Sequence, residues 1–231
     1  DHPPSGREFA DDAARAALAA LAGPYLPWGA GAMRPAGLVA VCNDVVLHAR
    51  RRIVELGSGI STVLLARLLH QRPPRDGFRL VAIEHDPGWV TWVTEQVERE
   101  GLDAGVSVLH APLAAHPTAL DGLSWYDART LDDGLDTALE GDPIDLLLVD
   151  GPPAYVPGYG LARYPALPVL RRRMARAATI VLDDVERAGE LDVLRRWEHE
   201  TGIEFDRQAD RAGVAVARLG GDGAAPGPRH G

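Results

Sequence analysis

The feature that most constrains the fold of this chain is a glycine turn between an apolar strand and a helix. Residues 52–56 have the composition of a buried strand, Gly57 and Gly59 follow, and Ser61 and Thr62 open the helix. Neither glycine has a Cβ, so the backbone can turn sharply there and approach a ligand closely. The hydroxyls of Ser61 and Thr62 are suited to capping the helix. This order of elements predicts a ligand-binding edge of an α/β sheet.

An acidic residue follows the next strand along the chain. Residues 80–83 are apolar, and Glu84 comes directly after them. A doubly wound sheet uses an acid in this position to hold a ribose. A carboxylate suits that task because it accepts two charge-assisted hydrogen bonds. We therefore expect Glu84 to bind the ribose hydroxyls of a nucleotide-like ligand.

Strands and helices alternate beyond residue 51. The apolar run at 146–149 suits a parallel strand covered on both faces, and the alternation at 214–219 predicts an antiparallel last strand. The expected fold class is α/β, with a doubly wound, mostly parallel seven-stranded sheet. The predicted strands are 52–56, 79–84, 106–110, 144–150, 179–183, 203–207 and 214–219. The predicted helices are 5–22, 35–49, 61–70, 87–100, 163–177 and 184–200, with a further helical piece around 131–139.

The chain is expected to have three parts. Residues 1–50 form a helical segment that packs on the core and covers the site. Two interpretations stay open for Trp28 and Met33, which either cover the ligand or, as is more common for such residues, are buried in the core. Residues 51–219 form the ligand-binding core. Residues 220–231 are rich in glycine and proline and are expected to be a flexible tail. Ser5 and Glu8 have the spacing of a capping box at the start of the first helix.

Charge and residue content exclude several classes of function. The net charge is −9, which speaks against a nucleic-acid partner, and no apolar run is long enough to span a membrane. All 24 basic residues are arginine, so no lysine can act as a base. Cys42 is the single cysteine, which excludes an intramolecular disulfide and a multi-cysteine metal site. We expect a cytoplasmic enzyme with a small-molecule substrate; a homo-oligomeric state stays open.

The glycine motif is not that of a dinucleotide-binding loop, because Thr62 stands where the third glycine is required. The pattern Glu55-x-Gly57-x-Gly59, together with Glu84, instead resembles class I S-adenosylmethionine-dependent methyltransferases over about residues 50–219. The resemblance implies a Rossmann-like fold and S-adenosylmethionine as the cofactor. The cofactor-binding residues that it implies are Glu55, Gly57, Ser58, Gly59, Thr62, Glu84, His85, Ala111 and Asp150. Of these, His85 and the backbone at Ala111 are expected to contact the adenine ring, although His85 is also interpreted as a plain surface residue.

Acids end the fourth and fifth strands of the predicted sheet. Asp150 precedes Gly151, and Asp183 and Asp184 follow an apolar run. These positions resemble the small-molecule O-methyltransferase branch of the family, in which such acids hold a magnesium ion. The resemblance implies that Asp150, Asp183 and Asp184 bind Mg²⁺, with Asp150 and Asp183 as catalytic residues. Two other interpretations stay open, in which Asp184 caps the helix at 185–200 or Asp150 binds the substrate or the cofactor's amine.

The chain departs from the catechol enzymes of this branch, which carry a lysine base just after the fourth-strand acid. Here Gly151 occupies that position, so the base must be an Asp, a Tyr or a His such as His85. The segment 151–164 is rich in Pro, Gly and Tyr and is the expected substrate loop. Its candidate substrate-binding residues are Tyr155, Arg163 and Tyr164. Arg163 is suited to a carboxylate or phosphate of the substrate, although it is as well interpreted as a surface residue.

The function expected from these features is methyl transfer from S-adenosylmethionine to a small-molecule acceptor. The expected methylated atom is a hydroxyl oxygen. Whether Mg²⁺ assists the reaction stays open. Two other functions stay open at this point. One is a nicotinamide-dependent oxidoreductase on a similar sheet, which the missing third glycine disfavours. The other is a cofactor-binding module without turnover.

Overall fold

The structure is a computed structural model that describes residues 6–29, 31–208 and 211–220. Its strands are β1 (Arg52–Leu56), β2 (Arg79–Glu84), β3 (Val106–His110), β4 (Leu113–Ala115), β5 (Ser124–Tyr126), β6 (Ile144–Val149), β7 (Met174–Leu182), β8 (Asp206–Gln208) and β9 (Val214–Arg218). Its α-helices are α1 (Gly6–Leu18), α2 (Pro35–Leu47), α3 (Ile60–Gln71), α4 (Pro87–Arg99), α5 (Ala128–Leu139), α6 (Ala166–Leu170) and α7 (Ala188–Thr201).

Seven of these strands form one sheet in the order β3-β2-β1-β6-β7-β9-β8. In this sheet β3, β2, β1, β6 and β7 run parallel, and β9 is antiparallel to both β7 and β8. The strand order reverses beside β1, where β2 lies on one side and β6 on the other. Ligands of such sheets bind at this switch point, outside the carboxyl ends of the strands. The predicted α/β fold, with a mostly parallel seven-stranded sheet and an antiparallel last strand, is confirmed.

The two faces of the sheet carry separate apolar cores. Val54 and Leu56 of β1 point into one core with Trp125 and Trp197, whereas Ile53 points into the other. This alternation is the two-residue period of a strand. The second core also holds apolar residues of α1, α2, α3 and α4, so the N-terminal helices are packed on the sheet. Met33 is only 2% exposed there. It is a core residue, so of the two interpretations that the sequence left open for Met33 the structure supports burial in the core.

Several element boundaries differ from the predictions. The predicted helix 163–177 is the short α6 followed by a 3₁₀ turn at Arg171–Arg173, and β7 already begins at Met174. Pro168 explains part of this difference, because a proline is tolerated only in the first turn of a helix. The predicted strand 203–207 is the shorter, shifted β8. The antiparallel pair β4 and β5 was not predicted, since three-residue strands are too short to show a pattern.

The ends of the chain lie largely outside the described residues. Ser5, the predicted start of the capping box, falls there, as does the predicted tail beyond Gly220. In the described part, none of the helices combines the length and the apolar character that crossing a membrane requires.

Candidate functional site

The glycine turn lies against the segment that follows β6. Gly57 has a φ of +89°, a conformation that L side chains rarely adopt, and a Cβ on it would lie 3.2 Å from the carbonyl carbon of Asp150. A Cβ on Gly59 would instead meet no heavy atom within 4 Å. The turn is therefore closed on the Gly57 side by the protein itself, and it is open on the Gly59 side.

Glu55 faces inward and braces this turn. Its carboxylate is fully buried and accepts hydrogen bonds from the hydroxyls of Ser61 at 2.5 Å and Thr62 at 2.6 Å. Thr62 Oγ1 in turn accepts the backbone N–H of Gly59 at 3.1 Å. Gly59 is the N-cap of α3, so Ser61 and Thr62 lie inside the first turn of the helix and not at the predicted cap position. Because Glu55 and Thr62 are both fully buried, the structure corrects their predicted direct contact with a cofactor. Their side chains hold the glycine turn from its buried side, through hydrogen bonds to each other and to the N–H of Gly59.

Burial raises the pKa of Glu55 to about 8, although its two hydroxyl partners oppose the shift. The folded chain therefore keeps this proton over a range where the unfolded chain has lost it. The contribution of Glu55 to the free energy of unfolding is therefore complete below its ordinary pKa of 4.5. It is lost as the pH rises from there through about 8. Glu55→Gln cannot ionise, so its stability relative to the wild-type chain should improve with rising pH, by up to about 1.4 kcal/mol per pH unit.

Urea unfolding of both proteins from about pH 5 to about pH 8 measures this difference. Glu95→Gln, at an exposed position of α4, is the matched control and should track the wild-type chain at every pH. A stability difference between Glu55→Gln and the wild type that stays constant over this range would contradict the assignment of the proton to Glu55.

Glu84 ends β2 beside the glycine turn. Its carboxylate accepts the backbone N–H groups of Ser58 at 2.9 Å, His85 at 2.7 Å and Asp86 at 2.8 Å. Burial opposes ionisation, but these bonds and the His85 ring together lower the pKa of Glu84. The acid is thus charged and joins the loop after β1 to the loop after β2.

The imidazole of His85 lies on the Glu84 carboxylate, with Nδ1 2.7 Å from Oε1. This contact raises the pKa of His85. Ala111, which follows β3, is buried, and its N–H donates to the Glu84 carbonyl at 2.8 Å. Of the two residues predicted to approach an adenine ring, His85 is therefore turned toward Glu84, and Ala111 has already used its backbone donor.

Three acids converge where the parallel neighbours β6 and β7 end. Asp150 follows β6, Asp183 and Asp184 follow β7, and one carboxylate oxygen of each lies within 4.8 Å of the others. Burial raises the pKa of Asp150 and of Asp183, and the charge of Asp150 raises that of Asp183 further. The two carboxyl groups share a hydrogen bond. The sequence correctly predicted that these acids meet, but their roles stay predictions.

Asp184 does not cap the following helix, so that alternative was wrong. It has a φ of +61°, and α7 begins only at Ala188, after Arg187. The side chain of Asp184 pairs instead with the guanidinium groups of Arg163 and Arg187.

Arg163 lies inside the acid cluster and is only 3% exposed. Its guanidinium donates to Asp150 Oδ1 at 3.1 Å and to Asp184 Oδ2 at 3.0 Å. It also donates to the backbone carbonyls of Asp150 at 2.7 Å, Asp183 at 3.3 Å and Pro152 at 3.3 Å. The prediction that Arg163 binds a substrate anion is corrected, because its donors are directed into the protein.

Tyr164 and Tyr155, the other predicted substrate-binding residues, have opposite surroundings. Tyr164 is buried, and its hydroxyl donates to Glu200 Oε2 at 2.7 Å on α7, so its predicted substrate contact is also corrected. Tyr155 is 71% exposed and stays a candidate.

Sequence reasoning missed three residues of this region. Arg187 was detectable, since it stands three residues after Asp184. Glu190 is 1% exposed, and it lies 3.6 Å from Arg187 and 3.7 Å from Arg163. Tyr126 is fully buried on β5, and a Cβ on Gly151 would lie 2.6 Å from its hydroxyl oxygen. The strand that carries Tyr126 had no detectable pattern.

Comparisons with known proteins agree with this geometry. The family described as "Methyltransferase domain" matches residues 54–185, which is more than half of the chain. The matched segment begins in β1 and ends just after Asp183 and Asp184. No curated protein matches the chain significantly.

Solved structures of similar fold cover nearly the whole chain. An O-methyltransferase from Bacillus cereus in complex with SAH has 19% identity and a TM-score of 0.57, over 92% of this chain and 91% of that one. Cofactor-bound Rv0187 from MTB has 23% identity and a TM-score of 0.56, over 93% and 91%. The SAH-bound Podospora anserina methyltransferase PaMTH1 has 16% identity and a TM-score of 0.55, over 95% and 89%. At these identities the likeness shows the fold.

The glycine turn, the acid after β2 and the acids after β6 and β7 lie at the switch point of a sheet whose sequence matches the methyltransferase domain. The chain therefore belongs to this family and is a class I S-adenosylmethionine-dependent methyltransferase.

Proposed function

We propose that the chain methylates a hydroxyl oxygen of a small-molecule acceptor beside Asp150. The observation that carries this proposal is the position of Asp150, which follows β6 and contacts the Gly57 turn at the centre of the sheet edge. A carboxylate there can accept the hydroxyl proton. The fold-level likeness to an O-methyltransferase from Bacillus cereus agrees with an oxygen acceptor.

The residues around the glycine turn fit the cofactor. The open side of Gly59 allows close approach of a ligand to the backbone, and Glu84 at the end of β2 suits a ribose diol. An ionised carboxylate has about four lone-pair sites, and the backbone N–H groups of Ser58, His85 and Asp86 use three of them. A ribose would therefore displace the imidazole of His85 from Glu84, which frees that ring for the predicted adenine contact.

We also propose that residues 1–50 cover the site above the core at 51–219. Pro27 lies with Asp86, Gly88, Trp89 and Trp92 around an open cavity of about 350 Å³, directly after the ribose acid. The N-terminal segment therefore reaches the start of α4, where it would limit access of water to the bound cofactor.

The chain's own residues would act mainly by alignment and by removing one proton. When bound, S-adenosylmethionine supplies an electrophilic methyl group on a sulfonium. Glu84 and the Gly57–Gly59 turn hold it in one orientation, and orientation of the reactants can account for much of a displacement barrier. The Asp150 carboxylate takes the proton of the acceptor hydroxyl as the new oxygen–methyl bond forms. Burial, which raises the pKa of Asp150, makes it a stronger base than an exposed aspartate.

Magnesium assistance, which the resemblance also implies, fits this site in only one respect. The three carboxylates lie close enough to share one cation, and hard oxygens are the ligands that Mg²⁺ prefers. However, Arg163 already donates to Asp150 and Asp184, and Arg187 pairs with Asp184. A cationic side chain thus lies where the ion would bind, and the mechanism has no step through a metal.

The test is an acceptor assay with S-adenosylmethionine and a panel of small phenols, catechols and sugars, each paired with its methyl ether and with its amine and thiol analogues. Mass spectrometry would measure S-adenosylhomocysteine and the methylated product. We expect turnover of at least one hydroxyl compound and of no matching ether. Asp150→Asn should lower that rate by about 100-fold or more, since a positioned base contributes on this order. Methylation confined to amine or thiol analogues would contradict the proposal.

A further inference from the structure

The acid cluster at the ends of β6 and β7 contains its own buried cation. The guanidinium of Arg163 is 3% exposed and bridges Asp150 on one strand end to Asp184 on the next. It also donates to three backbone carbonyls, those of Asp150, Pro152 and Asp183. The planar fork of an arginine is suited to such multiple bonds, which a point charge cannot make.

A second guanidinium completes the arrangement. Arg187 pairs with Asp184, and it lies 3.6 Å from Oε1 of the buried Glu190. Arg163 lies 3.7 Å from the same oxygen. In the described part of the chain, neither carboxyl oxygen of Glu190 has a hydrogen-bond partner, and both guanidinium groups lie within 4.0 Å of its Oε1. Two positive charges of the chain therefore already lie among the four carboxyl groups of this cluster.

We propose that Arg163, assisted by Arg187, is the resident cation of this site, so that the chain positions Asp150 and binds its cofactor without a divalent metal. The role of Asp150 in this statement rests on the proposed function. Arg163 is a positioning residue, because it acts through Asp150 and Asp184.

Steric and electrostatic reasons both favour the arginine over an ion. Mg²⁺ requires near-octahedral oxygens at about 2.0–2.1 Å, and the oxygens nearest to it would be those that now accept from Arg163. To admit the ion, Arg163 would have to leave a buried position and abandon three carbonyls, and unpaired buried acceptors are costly. If it stayed, its permanent charge would repel the ion at close range in a poorly solvated site.

The first arm of the test measures metal binding by the wild-type chain. Mn²⁺, which prefers the same hard oxygen ligands as Mg²⁺, is titrated into the purified protein and its free signal is followed by electron paramagnetic resonance. We expect no binding stronger than about 1 mM. A stoichiometric site of micromolar affinity would overturn the proposal. This arm needs no substitution, so it decides the question even if a variant fails to fold.

The second arm measures the affinity for S-adenosylhomocysteine by calorimetry with and without EDTA. We expect the two dissociation constants to agree within about twofold, and a loss of about tenfold or more with EDTA would count against the proposal. If S-adenosylhomocysteine does not bind in either condition, the cofactor assignment fails, whereas the manganese result still stands on its own.

The third arm removes the guanidinium of Arg163 and measures whether Mn²⁺ then binds in its place. Arg163→Met removes the guanidinium but keeps much of the side-chain length, and it should bind Mn²⁺ at least about tenfold more tightly than the wild-type chain. Arg173→Met is the matched control, because Arg173 also bridges two acids, Asp132 and Asp136, but does so away from the site. Arg173→Met should not gain manganese affinity. A folded Arg163→Met protein with no gain would show that the arginine does not occupy the cation position.

Discussion

Glu84→Ala should weaken the binding of S-adenosylhomocysteine by about 100-fold. Hydrogen bonds to a charged group contribute roughly 1.5–3 kcal/mol each, and a ribose hydroxyl would make one with this carboxylate at the position that the imidazole of His85 vacates. A loss of about 3 kcal/mol corresponds to roughly two orders of magnitude in the dissociation constant. The substitution also removes the acceptor of the Ser58 N–H, which loosens the glycine turn where the cofactor approaches.

Isothermal titration calorimetry of the wild-type chain and three variants checks this expectation. Glu84→Gln, which keeps the shape but not the charge, should fall between the wild type and Glu84→Ala. Glu95→Ala removes an exposed acid from the next helix and should bind like the wild type. Circular dichroism should show all three folded. An unchanged affinity in Glu84→Ala would show that this carboxylate does not bind the ribose.

Gly151→Ala should lower the free energy of unfolding by about 3 kcal/mol, or prevent folding, because the added methyl group has no space. Its Cβ would lie 2.6 Å from the hydroxyl oxygen of Tyr126, 2.7 Å from the Gly57 nitrogen and 2.9 Å from the Gly57 Cα. Overpacking in a well-packed core costs roughly 1–3 kcal/mol, and two of these contacts are with backbone that cannot rotate away. The segment after β6 would be pushed off the glycine turn.

Thermal and urea unfolding measure this loss. Gly29→Ala is the matched control, since a Cβ there meets nothing within 4 Å, and its stability should be close to that of the wild type. The double variant Gly151→Ala with Tyr126→Phe removes the nearest clashing atom and should recover part of the loss. Wild-type stability in Gly151→Ala alone would mean that the loops after β1 and β6 do not touch.

The strands around the site were predictable because they are apolar runs between turn residues. The predicted bounds of β1, β2 and β3 agree with the structure. The meeting of the acids after β6 and β7 was predictable for a related reason, since parallel neighbours end at the same edge of a sheet. Topology alone therefore placed these residues together.

The direction of Glu55 was also contained in the sequence, although the resemblance led to a different interpretation. Strand residues alternate between faces, so Glu55 shares a face with Ile53 and points toward α3. The hydroxyls of Ser61 and Thr62 at the start of α3 were then its nearest partners. A family motif identified the loop correctly but misassigned which of its side chains contacts the ligand.

The burial of Arg163 could not be predicted from the sequence. Its partners lie 13 and 21 residues away in the chain, and the ion pairs form only when β6 and β7 are adjacent. An arginine in a Pro- and Gly-rich segment is typical of an exposed loop, so both interpretations of Arg163 assumed access to solvent. Pairing with buried acids is a tertiary effect that overrides this local preference.

Calorimetric titration of the wild-type chain with S-adenosylhomocysteine tests the central claim most directly. The glycine turn that is open at Gly59, with Glu84 beside it, should bind one molecule per chain with a dissociation constant in the micromolar range or below. Binding should persist in EDTA and should weaken by about 100-fold on replacement of Glu84 by alanine. The absence of any heat of binding at about 1 mM ligand would contradict the account.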